Sequence, residues 1–395
     1  MIRRLQIRSF KAFSDEPAAG AEEGISLQPF TTLVGPNGSG KSTILQAIEI
    51  LGELVRGNIT QMLEAHGWEY ADLPHLRSAR TSVSVGVDVT FQDTDVRWSL
   101  ALGSRRTRGI TGELIQKREA DAWRNIILRS GRNVARMPER DQQGEDTALS
   151  LDSSWLSTID PRDDLASYPT LVALADWARR IRAVSFLDPV ALRAPSRAKT
   201  DELGPRGENL AAFLARLKSR PKDFARLIDR VRQHYPRLVD IRPKRTNYGW
   251  THLEITEKWN GEQATFNARQ VSDGLLRIIA VAALHELREP PSVLLLDEIE
   301  NGLHPRLLGG FVGMLEELAK SGRTQVIVAT HSPITLNYVS SPESVLIVTR
   351  GQGGGVQVTP LNETSGFQRL RQHFDLGELW YNVGEDRLVP PRKVK

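Results

Sequence analysis

The sequence predicts an α/β fold in which a mixed central sheet is flanked by helices and joined to an antiparallel β subdomain and a helical insertion. Three observations predict it. Near the amino terminus, a strand candidate runs directly into a glycine-rich loop and a helix. Far along the chain, two apolar strand candidates each end in polar residues, with a helix between them. Residues 81–91 alternate strictly between apolar and polar side chains, which is typical of an antiparallel sheet with one wet face.

The glycine-rich loop spans residues 35–43 and reads Gly-Pro-Asn-Gly-Ser-Gly-Lys-Ser-Thr. This pattern is a phosphate cradle, because its glycines let the backbone turn so that successive N–H groups point inward, toward the positive end of the next helix. Lys41 is expected to reach the β- and γ-phosphates, and Ser42 to offer its hydroxyl to Mg²⁺. We predict that ATP is bound by Asn37, Gly38, Ser39, Gly40, Lys41, Ser42 and Thr43.

Length and composition limit the class of protein that this chain can be. With 395 residues, the chain is expected to form one large domain or two intimately joined ones. The absence of cysteine excludes disulfides, thiolate metal sites and cysteine nucleophiles. Residues 1–7 alternate like a strand rather than a signal peptide, and no run of eighteen apolar residues occurs, so we predict a cytoplasmic protein without a membrane partner. The net charge of +4 does not demand nucleic acid, and basic residues 105–108 and 242–245 fit phosphate contacts or a solvated face equally.

The remaining elements follow from periodicity. Residues 130–165 are polar and are interpreted as a loop or insertion. The predicted strands are 2–10, 25–34, 97–102, 109–115 and 183–187, and the predicted helices are 44–55, 170–181, 208–217 and 221–234.

The two lobes of the predicted site are far apart in the chain. Lys41 and Asp297 are separated by 256 positions, so a central insertion is required between two lobes of one domain. We expect four segments. Residues 1–102 form an N-terminal lobe with the phosphate loop, and residues 103–182 form a β-meander and helical insertion. Residues 183–260 form a helical lateral subdomain with connecting strands, and residues 261–395 form a C-terminal lobe.

An apolar strand candidate at residues 293–296 ends in two carboxylates, Asp297 and Glu298. At the carboxyl end of a buried strand, Asp297 would hold Mg²⁺ through water, and Glu298 would polarise the water that attacks the γ-phosphate. Alone, such a strand is weak evidence for these two roles. Downstream of a phosphate loop, it is strong evidence for them.

A second buried strand candidate, residues 325–330, ends in His331. This side chain could touch the γ-phosphate and orient the water, with its protonation set by its neighbours. Between the two strands, residues 300–304 form a turn that could contact the nucleotide of a second subunit, and a helix follows from Pro305 to a stop at Gly322.

Ser272, Asp273 and Gly274 open an apolar helix immediately before the acidic strand. Ser272 reads as an ordinary N-cap. A helix that starts with a small residue, a polar residue and a glycine can also bind an anion. This helix start could therefore close over the γ-phosphate of a partner molecule. The residues alone leave both interpretations open.

Taken together, these motifs resemble the ABC-type ATPases of the SMC, RecF and OLD group, and most of all the small AAA-labelled ATPases of prokaryotic genomes that belong to the anti-phage defence type. Other segments also fit the resemblance, namely residues 7–13, 186–189, 207–210 and 377–380. The resemblance covers most of the chain and is specific for the family, not for one member.

The resemblance implies an ABC-type P-loop ATPase head that converts ATP and water to ADP and phosphate. It implies that Ser272, Asp273 and Gly274 are the signature segment, which acts in trans when two heads sandwich two ATP molecules. It also implies Asp297 as the Mg²⁺ ligand, Glu298 as the base and His331 as the switch histidine, in agreement with the interpretation of the residues themselves.

The sequence departs from the family in three ways. The glutamine that completes the magnesium site is not obvious: Gln92 is the candidate, with Gln116 and Gln142 as alternatives. No long heptad arms occur, so a cohesin-like ring is not expected. About sixty residues follow His331 without a second acidic motif, so a Toprim nuclease domain like that of the OLD proteins is not expected either.

Three functions compete. The first is a sensor or regulator of an anti-phage defence or DNA-maintenance complex that dimerises on ATP and controls a separate effector, such as a nuclease or toxin. This prediction is an analogy with relatives. The alternative is a stand-alone RecF-like clamp that binds duplex DNA. An ABC-transporter subunit fits worst, because the interval between the motifs is long and the signature reads Val-Ser-Asp-Gly-Leu.

Overall fold

The structure is a computed structural model of the 395-residue chain. It describes residues 1–389, apart from residues 17, 19–22, 79, 81, 92–93, 104–106, 138, 140–144, 184–187, 352–353, 365 and 385–387.

The strands in chain order are β1 (Ile2–Arg8), β2 (Ile25–Ser26), β3 (Phe30–Val34), β4 (Ser82–Phe91), β5 (Thr94–Gly103), β6 (Gly109–Glu119), β7 (Ala122–Ser130), β8 (Asn133–Arg136), β9 (Glu145–Ala148), β10 (Ile181–Arg182), β11 (Leu238–Arg245), β12 (Thr251–Trp259), β13 (Glu262–Asn267), β14 (Val293–Leu296), β15 (Gln325–Thr330), β16 (Val345–Arg350) and β17 (Val356–Pro360).

The α-helices are α1 (Lys41–Arg56), α2 (Ile59–His66), α3 (Pro161–Asp164), α4 (Pro169–Arg179), α5 (Pro189–Leu192), α6 (Leu210–Leu217), α7 (Pro221–His234), α8 (Asp273–Leu284), α9 (Pro305–Lys320), α10 (Pro333–Leu336), α11 (Phe367–Leu370) and α12 (Leu376–Val383).

A six-stranded sheet forms the centre, in the order β10-β14-β15-β3-β16-β17. All neighbouring pairs are parallel except β16 and β17. Strands β3, β14 and β15 are buried along their whole length, because helices and a second sheet cover both faces. The carboxyl ends of β14, β15, β3 and β16 therefore meet at one edge, which brings the predicted motifs together.

An eight-stranded antiparallel sheet, in the order β2-β1-β4-β5-β6-β7-β8-β9, packs with α1 against one face of the central sheet. Gln325, at the start of β15, joins the two sheets. Its amide accepts a hydrogen bond from the Ile2 N–H at 2.8 Å and donates to the carbonyl oxygens of Ile2 and Gln28 at 2.9 and 3.0 Å. Because the amide is buried and its bonds reach β1 and the connection between β2 and β3, it fixes where the two sheets meet.

The other face of the central sheet is covered by α8 and α9. A three-stranded antiparallel sheet, β11-β12-β13, lies beside α6 and α7 and shares this second core. The helices predicted at residues 208–217 and 221–234 are confirmed as α6 and α7, which pack together, and α7 begins at a proline. The fold is therefore the α/β arrangement that the sequence predicted, with a mixed central sheet, an antiparallel β part and inserted helices.

Several segments differ from the sequence prediction. Residues 25–34 are not one strand, because β2 pairs with β1 in the antiparallel sheet whereas β3 lies in the central sheet. Residues 130–165 are not one loop, because β8 and β9 extend the antiparallel sheet and α3 follows them. The unassigned residues 57–80 contain α2, whose N-cap Asn58 and third residue Gln61 form a capping box. The strand predicted at residues 183–187 falls mostly outside the described residues. The segment boundary expected at residue 102 falls next to the end of β5, within a sheet that continues to β9.

Candidate active site

The glycine-rich loop connects β3 to α1 through backbone conformations that glycine tolerates. Gly38 and Gly40 have φ angles of 76° and 114°. At Gly35, a Cβ would lie 2.0 Å from the carbonyl oxygen of Val348 in the neighbouring strand, so only glycine allows this approach. Helix α1 begins at Lys41, and its first N–H groups have no intrahelical partners. The loop therefore has the form of an anion cradle.

Two polar side chains of the loop are buried in this cradle. The Lys41 ammonium donates hydrogen bonds to the carbonyl oxygens of Gly35 and Pro36, at 2.8 and 2.9 Å. Burial lowers the pKa of Lys41, while the nearby Asp297 carboxylate opposes that shift. The Ser39 hydroxyl is buried and has no hydrogen-bond partner among the described residues. It is thus a donor available to a ligand oxygen.

The first residues of α1 meet the end of β14. The Ser42 hydroxyl donates to Oδ2 of Asp297, with 2.6 Å between the two oxygens. Neighbouring oxygens around an octahedral Mg²⁺ lie about 2.9 Å apart, since each is about 2.1 Å from the ion. The two oxygens therefore need to separate by only a few tenths of an ångström to fit one coordination shell.

Glu298 follows Asp297 in a strained backbone conformation. Its φ of 46° is unusual for a residue with a side chain. The Asn301 amide donates to Oε2 of Glu298, and the Asn301 N–H donates to the Glu298 carbonyl at 2.9 Å. This turn directs the Glu298 carboxylate to the same edge of the sheet as the phosphate loop.

His331 follows β15 and is held by an acidic neighbour. The Glu300 carboxylate accepts the backbone N–H of His331 at 3.1 Å, and the same oxygen lies 3.2 Å from Nδ1 of the ring. Its second oxygen accepts the Thr330 hydroxyl at 2.8 Å. Glu300 thus turns inward, with 11% of its side chain exposed, whereas His331 is 44% exposed. The prediction that this turn contacts the nucleotide of a second subunit stays a prediction.

One cavity of about 510 Å³ lies at this edge of the sheet. The seven loop residues predicted to bind ATP, residues 37–43, line it together with Asp297, Glu298 and His331. The full lining is Lys11, Ala12, Asn37, Gly38, Ser39, Gly40, Lys41, Ser42, Thr43, Asp297, Glu298, His331 and Arg350.

Lys11 and Arg350 line this cavity, although the sequence analysis did not single them out. Arg350, at the carboxyl end of β16, donates from Nε to the Gly38 carbonyl at 3.0 Å and from Nη1 to Gly354 and Ala12 at 2.7 and 3.3 Å. Its position at the end of a fourth buried parallel strand is the signal that could have identified it. Burial lowers the pKa of Lys11 to about 8.

The remaining predicted residues lie elsewhere or outside the described part of the chain. Ser272 is exposed and caps α8, because its hydroxyl accepts the Leu275 N–H at 3.3 Å. The Asp273 carboxylate pairs with Arg193, which also donates to the Val271 carbonyl at 3.0 Å. Residues 272–274 are not among the described residues that line the phosphate cavity.

Of the three glutamines considered for the magnesium site, the structure describes only Gln116. Gln92 and Gln142 lie outside the described residues. Gln116 lies on β6, where its amide donates to Asn125 at 2.9 Å, and it is not part of the described lining of the cavity.

A strand, glycine loop and helix beside an acidic strand and a histidine strand define an α/β P-loop ATPase head. The family model described as "AAA domain, putative AbiEii toxin, Type IV TA system" matches residues 30–337. The chain belongs to this family.

Similar proteins agree with this assignment. The chain is 24% identical to an "OLD nuclease" of Thermus scotoductus over 95% of this chain and 68% of the relative. It is 21% identical to a "Retron Vc95 probable ATPase" of Vibrio cholerae, over 88% and 73% of the two chains.

Solved structures show the same fold. An Smc head bound to the C-winged helix domain of ScpA matches with a TM-score of 0.57 and 16% identity, over 91% of this chain and 97% of that chain. A second Smc head, bound to a ScpA domain derived from Pyrococcus furiosus, matches with a TM-score of 0.52 and 14% identity, over 94% and 98%. Across the described residues, the helices are too short or too polar to cross a bilayer.

Proposed function

We propose that this chain binds Mg·ATP in the 510 Å³ cavity and hydrolyses it to ADP and phosphate. The observation that carries the proposal is the convergence of the glycine loop, Asp297, Glu298 and His331 on that one cavity. These groups come from three parallel strands and are more than 250 positions apart in the chain, so an accidental loop motif does not explain their meeting.

Each side chain has a role that fits its contacts. The Lys41 ammonium, now on two loop carbonyls, would exchange them for phosphate oxygens, and the Ser39 hydroxyl would gain its missing partner. Ser42 and Asp297 would hold Mg²⁺, which neutralises phosphate charge when bound. Glu298 would accept a proton from the attacking water, and His331, held by Glu300, would orient that water or the γ-phosphate.

Glu298→Gln tests the hydrolytic role. The variant keeps the shape of the side chain and its contact with Asn301 but removes the base, so ATP should stay bound while turnover falls by at least about 100-fold. ATP affinity and single-turnover hydrolysis are measured side by side. The matched control is Glu343→Gln, an exposed carboxylate in a short turn, which should turn over like the wild type. A Glu298→Gln variant that hydrolyses ATP at the wild-type rate removes Glu298 as the base.

We further propose that two copies of the chain sandwich ATP, with residues 272–274 of one head facing the phosphate loop of the other. Three facts support this. Ser272 is exposed at the start of a twelve-residue helix, the segment is away from the described lining of its own cavity, and that cavity opens to solvent through an exposed His331.

Mixing two inactive variants tests the sandwich. In a dimer of Ser272→Arg chains, each head lacks the Ser272 that its partner should supply, so both sites are inactive. In a dimer of Glu298→Gln chains, each site lacks its own base, so both sites are again inactive. In a mixed dimer, one site combines an intact Glu298 with an intact Ser272, so hydrolysis should reappear at up to half of the wild-type rate per dimer. No recovery at any mixing ratio, with both variants folded, contradicts the trans arrangement.

We propose that the ATPase cycle regulates a separate effector in an anti-phage defence or DNA-maintenance complex. The names of two relatives, an OLD nuclease and a retron ATPase, support this direction. Glu298→Gln, held in ATP, is the bait for a pull-down from the native host. Recovery of a nuclease or toxin supports effector control, whereas recovery of duplex DNA alone favours the stand-alone clamp.

A further inference from the structure

A second cavity, of about 880 Å³, lies along the same helix as the phosphate loop. Its walls include Ser42 and Asp297 at one end and a face of α1 that carries Glu49 and Glu53. Residues 42, 49 and 53 fall on one side of the helix, because seven and eleven residues are close to two and three turns. Apart from Ser42 and Asp297, the proposed ATPase mechanism makes no use of the residues that line this cavity.

Three potential metal ligands converge on the cavity wall. Glu49 and Glu53 are one turn apart on α1, and His66 is the last residue of α2. His66 Nε2 lies 3.0 Å from Oε2 of Glu53 and 3.9 Å from Oε2 of Glu49, and ligand atoms of all three residues lie within 4.8 Å of one another. Around a tetrahedral Zn²⁺, neighbouring nitrogen and oxygen ligands are about 3.4 Å apart, which falls between the two distances to the histidine.

The histidine is held in place by local structure rather than by the carboxylates alone. Its ring stacks on Trp68, with ring centres 4.0 Å apart and planes at 14°. Helix α2 starts with a capping box and ends at Gly67, whose φ is 63°. A ring orientation fixed by packing reduces the entropy that metal binding would otherwise lose.

Two nearby cations direct their hydrogen bonds to other groups, although both attract the Glu49 carboxylate. Arg56 directs its guanidinium to the carbonyl oxygens of Arg179 and Ile181, at 3.1 and 2.8 Å. The Lys11 ammonium donates to the Gln46 side chain at 3.0 Å and lies over the Trp68 ring. Among the described residues, His66 is the one basic side chain within 4.0 Å of the Glu49 carboxylate.

These two glutamates therefore share one imidazole in a region where each side chain is only about one-fifth exposed. A cation between the two carboxylates would offset their mutual repulsion.

We propose that Glu49, Glu53 and His66 form a site for a divalent transition-metal ion of the zinc type, with the open side of its coordination shell facing the 880 Å³ cavity. The mixed oxygen and imidazole donor set suits Zn²⁺ and its neighbours rather than Mg²⁺ or Ca²⁺, which prefer oxygen alone. Seven residues of helix separate Ser42 from Glu49, or about 10 Å of rise, so this site is distinct from the magnesium site. The inference does not depend on ATP hydrolysis.

The test is calorimetric titration of Zn²⁺ into the chelator-stripped full chain without nucleotide. The wild type should bind one Zn²⁺ per chain, and Glu49→Gln/Glu53→Gln should bind it at least about 100-fold more weakly, because two anionic ligands are lost. Glu64→Gln, an exposed carboxylate on α2, is the matched control and should bind like the wild type. Asp297→Asn should also retain the site, which separates it from the predicted magnesium ligands.

Two results overturn the proposal: no stoichiometric Zn²⁺ binding by the wild type, or equal binding by the double variant. If the double variant does not fold, His66→Gln provides the second test, since glutamine still donates to Glu53 but is a poor metal ligand. Its affinity for Zn²⁺ should fall by at least about tenfold, and unchanged affinity in the folded variant rejects the site.

Discussion

The Glu300 carboxylate binds His331 twice, accepting its backbone N–H at 3.1 Å and approaching its ring Nδ1 to 3.2 Å with the same oxygen. Because Glu300 also accepts the Thr330 hydroxyl, it fixes the turn after β15 and the ring that follows it. When the Nδ1 proton is held by a carboxylate, Nε2 is left to face the cavity. Glu300 is thus a positioning residue for His331.

Glu300→Ala should uncouple positioning from binding. We expect kcat for ATP hydrolysis to fall by about 10–100-fold, because a misplaced catalytic group is costly, while KM for ATP changes little. Glu300→Gln should recover part of the rate, since its amide oxygen still accepts the His331 N–H. Steady-state kinetics of both variants checks this. An unchanged kcat in folded Glu300→Ala means that His331 needs no such support.

The Lys41 ammonium is expected to carry much of the affinity for phosphate. Lys41→Ala should weaken ATP binding by at least about 100-fold, because a buried charge-assisted contact is lost. Lys320→Ala, an exposed lysine at the end of α9, is the control and should bind ATP like the wild type. Equilibrium binding of a fluorescent ATP analogue measures both, and tight binding by Lys41→Ala would contradict the cradle.

The parts of this site that the sequence predicted are those encoded by local pattern. The glycine loop, and the apolar strands before Asp297 and His331, each show their role within ten residues. The parallel order of β14, β15 and β3 then places these motifs at one edge, as the general rule for such sheets requires.

What the sequence could not predict depends on distant contacts. The apolar run of β16 marks Arg350 as a residue at the end of a buried strand, but its contact with Gly38, 312 positions away, has no local signal. The φ of Glu298 has no sequence signal either, because glutamate rarely adopts that region. Helix α2 was missed since three buried residues, Ile59, Met62 and Leu63, give too short a stripe to detect.

A buried charge network stabilises the antiparallel sheet. Glu113 is fully buried and accepts hydrogen bonds from Trp98 Nε1, the Ser154 hydroxyl and the Trp155 N–H at 3.0, 2.6 and 2.7 Å, with Arg129 at 3.7 Å. Glu113→Ala leaves these three donors without their acceptor and removes the buried counter-charge of Arg129, so we expect a loss of about 3–5 kcal/mol in unfolding free energy.

Urea unfolding compares that variant with Glu119→Ala. Glu119 lies on β6 like Glu113, but its carboxylate is exposed and pairs with Arg124 of β7. This control should change stability by no more than about 0.5 kcal/mol. Similar losses in the two variants would show that the buried network is not a major source of stability.

His285, at the end of α8, should make the fold sensitive to acid. Burial, followed by the nearby Arg230, lowers its pKa to about 4, and neutral Nε2 donates to the Met314 carbonyl at 3.0 Å. Glu317 opposes the shift without cancelling it. Because the folded pKa is below the unfolded value of about 6.5, the unfolded chain binds the extra proton between the two values. The stabilisation is therefore complete above pH 6.5 and is lost as the pH falls toward 4.

His285→Gln tests this titration, because glutamine can donate to the same carbonyl but does not ionise. Between pH 7 and pH 5, the wild type should lose about 2 kcal/mol more unfolding free energy than the variant. Urea unfolding curves at both pH values measure the difference, with other titrating groups common to both proteins. If the two proteins lose the same amount, His285 either remains accessible to protons in the fold or retains an ordinary pKa, and the acid sensitivity of this helix end must come from another group.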